Sequence, residues 1–97
     1  MTYRRLFSVP FADRCPWPGK LGPRYVQTKH GGLVEIGRPA LLTIDAYGQP
    51  ENLMLRFLDA AGDEFTHDHP NDLEEVFSMV EREFGIAHAE WSAENAN

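Results

Sequence analysis

The sequence predicts an α+β fold: an antiparallel β-meander of four to five strands with one main C-terminal amphipathic helix packed on one face. Short runs of β-forming residues recur over residues 25–69 with turn signals between them, and one helical periodicity follows over residues 70–85. The length of 97 residues suffices for one hydrophobic core. We therefore expect a single domain over residues 1–97, with a short tail segment over residues 86–97.

An irregular, proline-rich and basic segment covers residues 1–24. Proline fixes φ and lacks a backbone donor, which disfavours regular structure between Pro10 and Pro23. Large apolar side chains nevertheless occur throughout this segment, and they are too many for a free tail. We therefore expect a short edge strand over residues 3–9 and a packed loop around Trp17.

The meander is predicted from alternating polar and apolar residues. Gly31 and Gly32 join two such runs, and both positions tolerate the positive φ that a two-residue hairpin turn requires. The alternation gives the sheet one polar face, as in an antiparallel sheet with one side in water. The strands are predicted over residues 25–29, 33–36, 40–47, 53–58 and 64–67.

The helix is predicted from an apolar stripe at a period of 3.6 residues. Asn71 is placed to cap the helix, Glu74 follows at capping-box spacing, and Gly85 supplies the left-handed residue that ends it. The acidic positions between the apolar ones, Glu83 included, are expected to face solvent. The stripe consists of Leu73, Val76, Phe77, Val80 and Phe84.

Charge is distributed unevenly along the chain. Residues 1–38 carry seven Lys or Arg against two acids, a net charge of +5, whereas residues 39–97 carry thirteen acids against two Arg, a net charge of −11. Charge of this kind bears on the choice of partner and on association rates rather than on fold. The total of −6 argues against non-specific binding of nucleic acid, which depends on phosphate neutralisation.

An acidic surface on and before the helix is the main candidate site. The helix has one cation, Arg82, so few pairs at i, i+4 offset the repulsion among its acids. Such a surface favours a basic protein through electrostatic steering, although a merely solvated helix face is the competing interpretation. We predict that the partner-binding residues are Asp63, Asp68, Asp72, Glu74, Glu75 and Glu81.

His67 and His69 have a spacing that suits a metal site. Residues two apart on a strand project from one side, so both imidazoles could share an ion with Glu64, Asp63 or His30. The alternative is a polar strand end with both histidines in water. We favour this alternative and expect no metal and no cofactor, because no second ligand pair stands at a fixed spacing.

Basic and aromatic residues interleave in the N-terminal half, a pattern that would suit a stacking groove for single-stranded nucleic acid. A domain of this size offers the aromatic residues few other places of burial, so we favour core positions for them and internal charge balance for the cations. The cations concerned are Arg4, Arg5, Arg14, Lys20 and Arg24, and the aromatic residues are Tyr3, Phe7, Phe11, Trp17 and Tyr25.

Catalytic and membrane signals are missing from the sequence. Cys15 is the single cysteine, so no intrachain disulfide is possible, and no helix start follows it to activate the thiol. No nucleophile elbow, phosphate-binding loop or dinucleotide fingerprint occurs. No run approaches the roughly 20 apolar residues of a membrane span. We expect a cytoplasmic protein that is neither an enzyme nor a membrane protein.

One further pattern extends over residues 40–91. Its parts are residues 59–65, 73–77 and 83–86, with Trp91 at the end. It resembles small uncharacterised bacterial α+β proteins and, in its order, toxin-immunity proteins. The resemblance implies an acidic surface that blocks a basic or nucleic-acid-cutting toxin, and it carries over no catalytic residue. We therefore predict a non-enzymatic protein-binding module, most concretely an immunity-like inhibitor of a basic partner protein. The alternatives are a metal-dependent protein that uses His67 and His69, or a nucleic-acid adaptor that uses the basic N-terminal half.

Overall fold

The computed structural model describes residues 3–48 and 51–94 and confirms the predicted α+β fold. Residues 95–97 of the predicted tail lie outside the described residues. The single α-helix of the described part, α1, spans Leu73–Phe84, and a short 3₁₀ helix follows at His88–Glu90. The strands are β1 (Tyr3–Pro10), β2 (Tyr25–Gln27), β3 (Leu33–Glu35), β4 (Leu41–Tyr47), β5 (Asn52–Leu58), β6 (Glu64–Asp68) and β7 (Ser92–Ala93).

Five strands form the main sheet in the order β6-β5-β4-β1-β7, and all neighbours are antiparallel. The consecutive strands β4, β5 and β6 form a meander, as predicted. The first strand, β1, was expected at an edge but lies between β4 and the two-residue β7. Its Phe7 and Val9 pair with Ile44 and Leu42 and share their face, so β1 contributes to the core and takes an inner position.

The hairpin of β2 and β3 forms a separate two-stranded sheet rather than part of the meander. β4, the next strand along the chain, pairs with β1 on one side and β5 on the other, so it has no free edge for β3 to join. Both strands are three residues long, and two apolar side chains of β3 stay in water, Leu33 at 69% and Val34 at 50% exposure. The hairpin turn itself occurs at Gly31, where φ is 85°.

The core lies between α1 and one face of the sheet. Leu42 pairs with Phe57 and Ile44 with Leu55, so the register places all four side chains on the face that packs on the helix. The predicted helical stripe meets them there, with Val76, Phe77, Val80 and Phe84 buried.

The loop around Trp17 packs on the end of this core, as the sequence predicted. The Trp17 ring stacks on Phe84 with 5.8 Å between centroids, and Phe11 meets Phe84 edge to face at 5.2 Å. Trp17 also donates its indole N–H to the carbonyl of Ile36 at 3.1 Å, which ties the loop to the segment after β3.

The helix begins one residue later than predicted. Asp72, not Asn71, is the N-cap: its backbone is extended, and its Oδ1 accepts a hydrogen bond from the backbone N–H of Glu75 at 2.8 Å. The prediction of Asn71 was therefore wrong by one position, and Asn71 instead donates to the Glu75 carboxylate at 3.0 Å. Gly85 ends the helix in the left-handed conformation, as expected, with φ of 73°.

Gly19 is a position where the backbone of the N-terminal loop touches α1. A methyl group at Gly19 would lie 2.5 Å from Cγ of Glu83 and 2.6 Å from Cε1 of Phe84, both of which are buried. We expect Gly19→Ala to lower the free energy of unfolding by about 1–3 kcal/mol through overpacking. Urea denaturation measures this change in the free energy of unfolding.

Gly37→Ala is the matched control, since no described atom lies within 4 Å of the added methyl group and φ is not positive. We expect this variant to stay within about 0.5 kcal/mol of wild type. Equal stabilities of the two variants would mean that the loop does not approach the helix this closely.

Candidate functional site: an acidic groove along the helix

The main candidate site is a groove along one side of α1. Glu74, Ser78 and Glu81 follow one another at i, i+4 and i+7, which aligns them on one side of the helix. The groove beside them has a volume of about 500 Å³. Phe7 of β1 and Phe77 of α1 form its apolar floor, with 5.2 Å between their ring centroids.

His88 lines the far wall of the groove. Its ring stacks on Phe77 at 3.8 Å between centroids, with the ring planes 17° apart. Trp91 meets the same Phe77 ring edge to face at 5.8 Å. Three elements thus hold the floor in place: β1, α1 and the segment that follows the helix.

Glu74 and Glu81 form the acidic rim of this groove. Both are exposed, and within residues 3–48 and 51–94 neither carboxylate has a hydrogen-bond or ion-pair partner. Arg82, the cation of α1, lines a different pocket with Lys20 and Met79 and is therefore turned away from them. The groove combines an apolar floor with two carboxylates that are free to meet an external cation.

Two of the other predicted acids, Asp72 and Glu75, accept hydrogen bonds at the start of α1. Asp72 is the N-cap of α1, and its carboxylate is occupied by the N–H of Glu75. The side chain of Glu75 in turn accepts from Asn71. Both still contribute negative charge near the groove, but their carboxylates have structural partners.

The last two predicted acids lie on either side of β6. Asp68, at its end, binds Arg24 with an Nη1–Oδ2 distance of 2.9 Å. Asp63 precedes the strand in an exposed turn. A strand rises about 3.3 Å per residue, so the five residues from Asp63 to Asp68 correspond to about 16 Å. Of the six predicted residues, Glu74 and Glu81 border the groove, whereas Asp68 is paired with Arg24.

A partly buried ion cluster joins the N-terminal loop to the helix. Arg24 donates to Glu83 Oε1 at 2.8 Å as well as to Asp68, and its guanidinium lies 4.5 Å from the centroid of the Phe57 ring. Glu83 is 3% exposed, so the prediction that it faces solvent was wrong. Its burial depends on a counter-charge 59 residues earlier in the chain, which helical periodicity does not reveal.

A second polar cluster covers the sheet face opposite α1. Arg56 donates to Asp45 Oδ2 at 2.9 Å and to Glu64 Oε1 at 2.7 Å, and Asp45 is 1% exposed. Partial burial on its own raises the pKa of Glu64, but hydrogen bonds from Arg56 and His67 outweigh this, and the pKa lies below its ordinary value. The sequence signal was a lone acid, Asp45, within the apolar run of β4.

His67 and His69 lie at the edge of this cluster. The Nδ1 atom of His67 is 2.9 Å from Glu64 Oε2, and Nδ1 of His69 is 3.1 Å from the Tyr47 hydroxyl. The two imidazole centroids are 4.7 Å apart. Among the described residues, no group of three or more His, Cys, Asp or Glu side chains is arranged to hold a metal ion.

Most of the N-terminal basic residues have partners within the chain. Arg4 pairs with Glu51 at 2.7 Å, Arg5 lies 3.7 Å from Asp45, and Arg14 pairs with Glu90. Phe11 lies in the core, and Phe7 and Trp17 pack against it, whereas Tyr3 and Tyr25 are 43% and 52% exposed, so the prediction of core positions was wrong for these two tyrosines. These contacts favour internal charge balance over a stacking groove for nucleic acid.

The described part of the chain, residues 3–48 and 51–94, contains no helix with the length and apolar character that crossing a membrane requires. Comparisons of the whole sequence and structure with protein-family models, with curated proteins and with solved structures find no match.

Proposed function

We propose that this protein is a non-enzymatic protein-binding module whose groove along α1 binds a basic partner protein, as an immunity-like inhibitor would. The supporting observation is the pair of carboxylates, Glu74 and Glu81, that have no partner in the described chain and border an apolar floor. A cytoplasmic location is part of this proposal.

The two components of the groove have different roles in binding. An apolar floor accepts an anchoring side chain, and such buried anchors carry most of the affinity of a protein interface. Rim charges mainly raise the association rate and select partners of opposite charge. Glu74 and Glu81 are separated by about 10 Å along the helix axis, at about 1.5 Å per residue. A fitting partner therefore presents an apolar or aromatic side chain beside Lys or Arg residues at a similar separation.

Internal ion pairs offset part of the negative charge elsewhere in residues 39–97. Asp68 and Glu83 share Arg24, and Asp45 and Glu64 share Arg56, so each of these pairs of acids is partly compensated. Glu74 and Glu81 keep their full attraction for an external cation. Glu74 and Glu81 thus supply negative charge on α1, beside the apolar floor of the groove, that no cation of the described residues offsets.

The charge-reversed variant Glu74→Lys/Glu81→Lys tests the proposal. We expect it to fold as wild type does, because both side chains are exposed, and to associate with the partner at least about tenfold more slowly at low salt. Affinity capture from the native host identifies the partner, and stopped-flow mixing measures the association rate. The difference should shrink in 1 M salt, where the Debye length falls to about 3 Å.

The variant Glu35→Lys/Asp63→Lys is the matched control, because it makes the same change in net charge at exposed positions outside the groove. We expect its association rate to stay much closer to that of wild type. Equal slowing by both double variants would show that net charge matters and the groove does not. A groove variant that associates as fast as wild type would leave the acidic helix as solvated surface.

A further inference from the structure

We infer that His67 and His69 form a binding site for one divalent transition-metal ion that favours imidazole nitrogen, such as Ni²⁺, Cu²⁺ or Zn²⁺. The site is separate from the groove along α1. The protein supplies two ligands to this ion. Two protein ligands suit an exchangeable ion that has water in its other coordination positions, rather than a resident cofactor.

The position of the two histidines on the sheet brings them together. His67 pairs with Arg56 and Asp68 with Leu55, so His67 projects from the face opposite α1 while Asp68 projects towards the helix. His69 follows two residues after His67, and its ring contacts the ring of His67. Because β6 is the outer strand of the sheet, this pair is open to solvent from the side.

Hydrogen bonds to Nδ1 fix the orientation of both rings. An ionised carboxylate only accepts, so His67 must donate its Nδ1–H to Glu64. The neutral ring then carries its free lone pair on Nε2. A carboxylate behind a histidine in this way orients metal-ligating imidazoles and raises their basicity. In the tautomer in which His69 donates its Nδ1–H to the Tyr47 hydroxyl oxygen, Nε2 of that ring carries the free lone pair as well.

The two groups that orient the imidazole rings, Glu64 and Tyr47, have further contacts of their own. Glu64 is bound by Arg56, and Arg56 is bound by the buried Asp45, so the carboxylate behind His67 belongs to a continuous network. Tyr47 lies in β4 and also meets Tyr3 edge to face at 6.1 Å between centroids. A ligand pair on a rigid sheet, oriented by outer contacts, loses less freedom when it binds an ion.

The separation of the rings admits a shared ion. An ion bound in the plane of an imidazole at about 2.1 Å from nitrogen lies about 3.2 Å from the ring centroid. The two centroids are 4.7 Å apart, with ring planes 80° apart, so their separation is short enough for one ion to contact both rings.

Isothermal titration of Ni²⁺ into the full, untagged chain tests the inference. We expect saturable binding of one ion per chain, and at least tenfold weaker binding for His67→Gln and for His69→Gln. Tyr47→Phe keeps both imidazoles but removes the hydroxyl behind His69, and should weaken binding about tenfold without preventing folding. His30→Gln, which removes an exposed histidine of the turn between β2 and β3, should bind as wild type does.

Imidazole ¹⁵N resonances of the wild-type chain provide a test that does not depend on variants. Added Zn²⁺ should shift the Nε2 signals of His67 and His69 and leave those of His30 and His88 in place. Absence of saturable Ni²⁺ binding, or equal binding by the double variant His67→Gln/His69→Gln, would overturn the inference. So would a Zn²⁺ response confined to the other two histidines.

Discussion

Replacing Phe77 by Ala is expected to lower the free energy of unfolding by about 3–5 kcal/mol. The Phe77 ring is buried and contacts Phe7, His88 and Trp91, so its removal leaves a cavity that three separate elements would have to fill. A domain of this size is stable by about 5–15 kcal/mol, so the loss would be a large part of the total. Urea denaturation at neutral pH measures the change.

Leu33→Ala is a suitable control for this experiment, because Leu33 is an apolar residue that stays in water on β3. We expect it to change stability by less than about 0.5 kcal/mol. A Phe77→Ala variant as stable as this control would show that the helix does not pack by its predicted face. Since Phe77 is also the floor of the groove, partner binding by the folded variant should be weaker.

Replacing Arg24 by Met is expected to cost about 3–5 kcal/mol, because it leaves the buried Glu83 carboxylate without a counter-charge. The Arg24 side chain is 18% exposed, so the cost arises in a poorly solvated place. Urea denaturation again gives the change in stability. The double variant Arg24→Met/Glu83→Gln should recover part of the loss, since the uncompensated charge is then removed.

Arg4→Met provides the comparison, since Arg4 binds Glu51 at a similar distance with both side chains about half exposed, at 58% and 49%. Exposed pairs of this kind contribute about 0–1 kcal/mol. The two variants therefore separate the effect of burial from that of the ion pair. A loss below about 1 kcal/mol for Arg24→Met would mean that water reaches Glu83.

The helix could be predicted because its signals are local. The spacing of Leu73, Val76, Phe77, Val80 and Phe84 determines the buried face within a few turns, and Gly85 ends the helix through its own backbone freedom. The cap was misplaced by one residue because Asn71 and Asp72 are both good caps, and the choice between them depends on the approach of the chain.

The pairing of strands and charges could not be predicted in the same way. Alternation identifies a strand but not its neighbour, so the inner position of β1 and the separate hairpin of β2 and β3 appeared only in the structure. Which acids stay free depends on cations far along the chain, as Arg24 shows for Glu83. The sequence shows an excess of acids in residues 39–97, whereas the position of Glu74 and Glu81 beside an apolar groove follows from tertiary contacts.

The order of strands in the main sheet also bears on how the chain folds. β4 and β5 are separated by four residues, whereas 30 residues separate β1 from β4. Closing the longer loop costs about 2 kcal/mol more conformational entropy. We therefore expect β4, β5 and β6 to associate first and to form the template on which β1 is added late. The inner strand β1 then joins the sheet after β4, β5 and β6 have paired. Until β1 pairs with β4, the open, apolar edge of β4 is accessible to other chains.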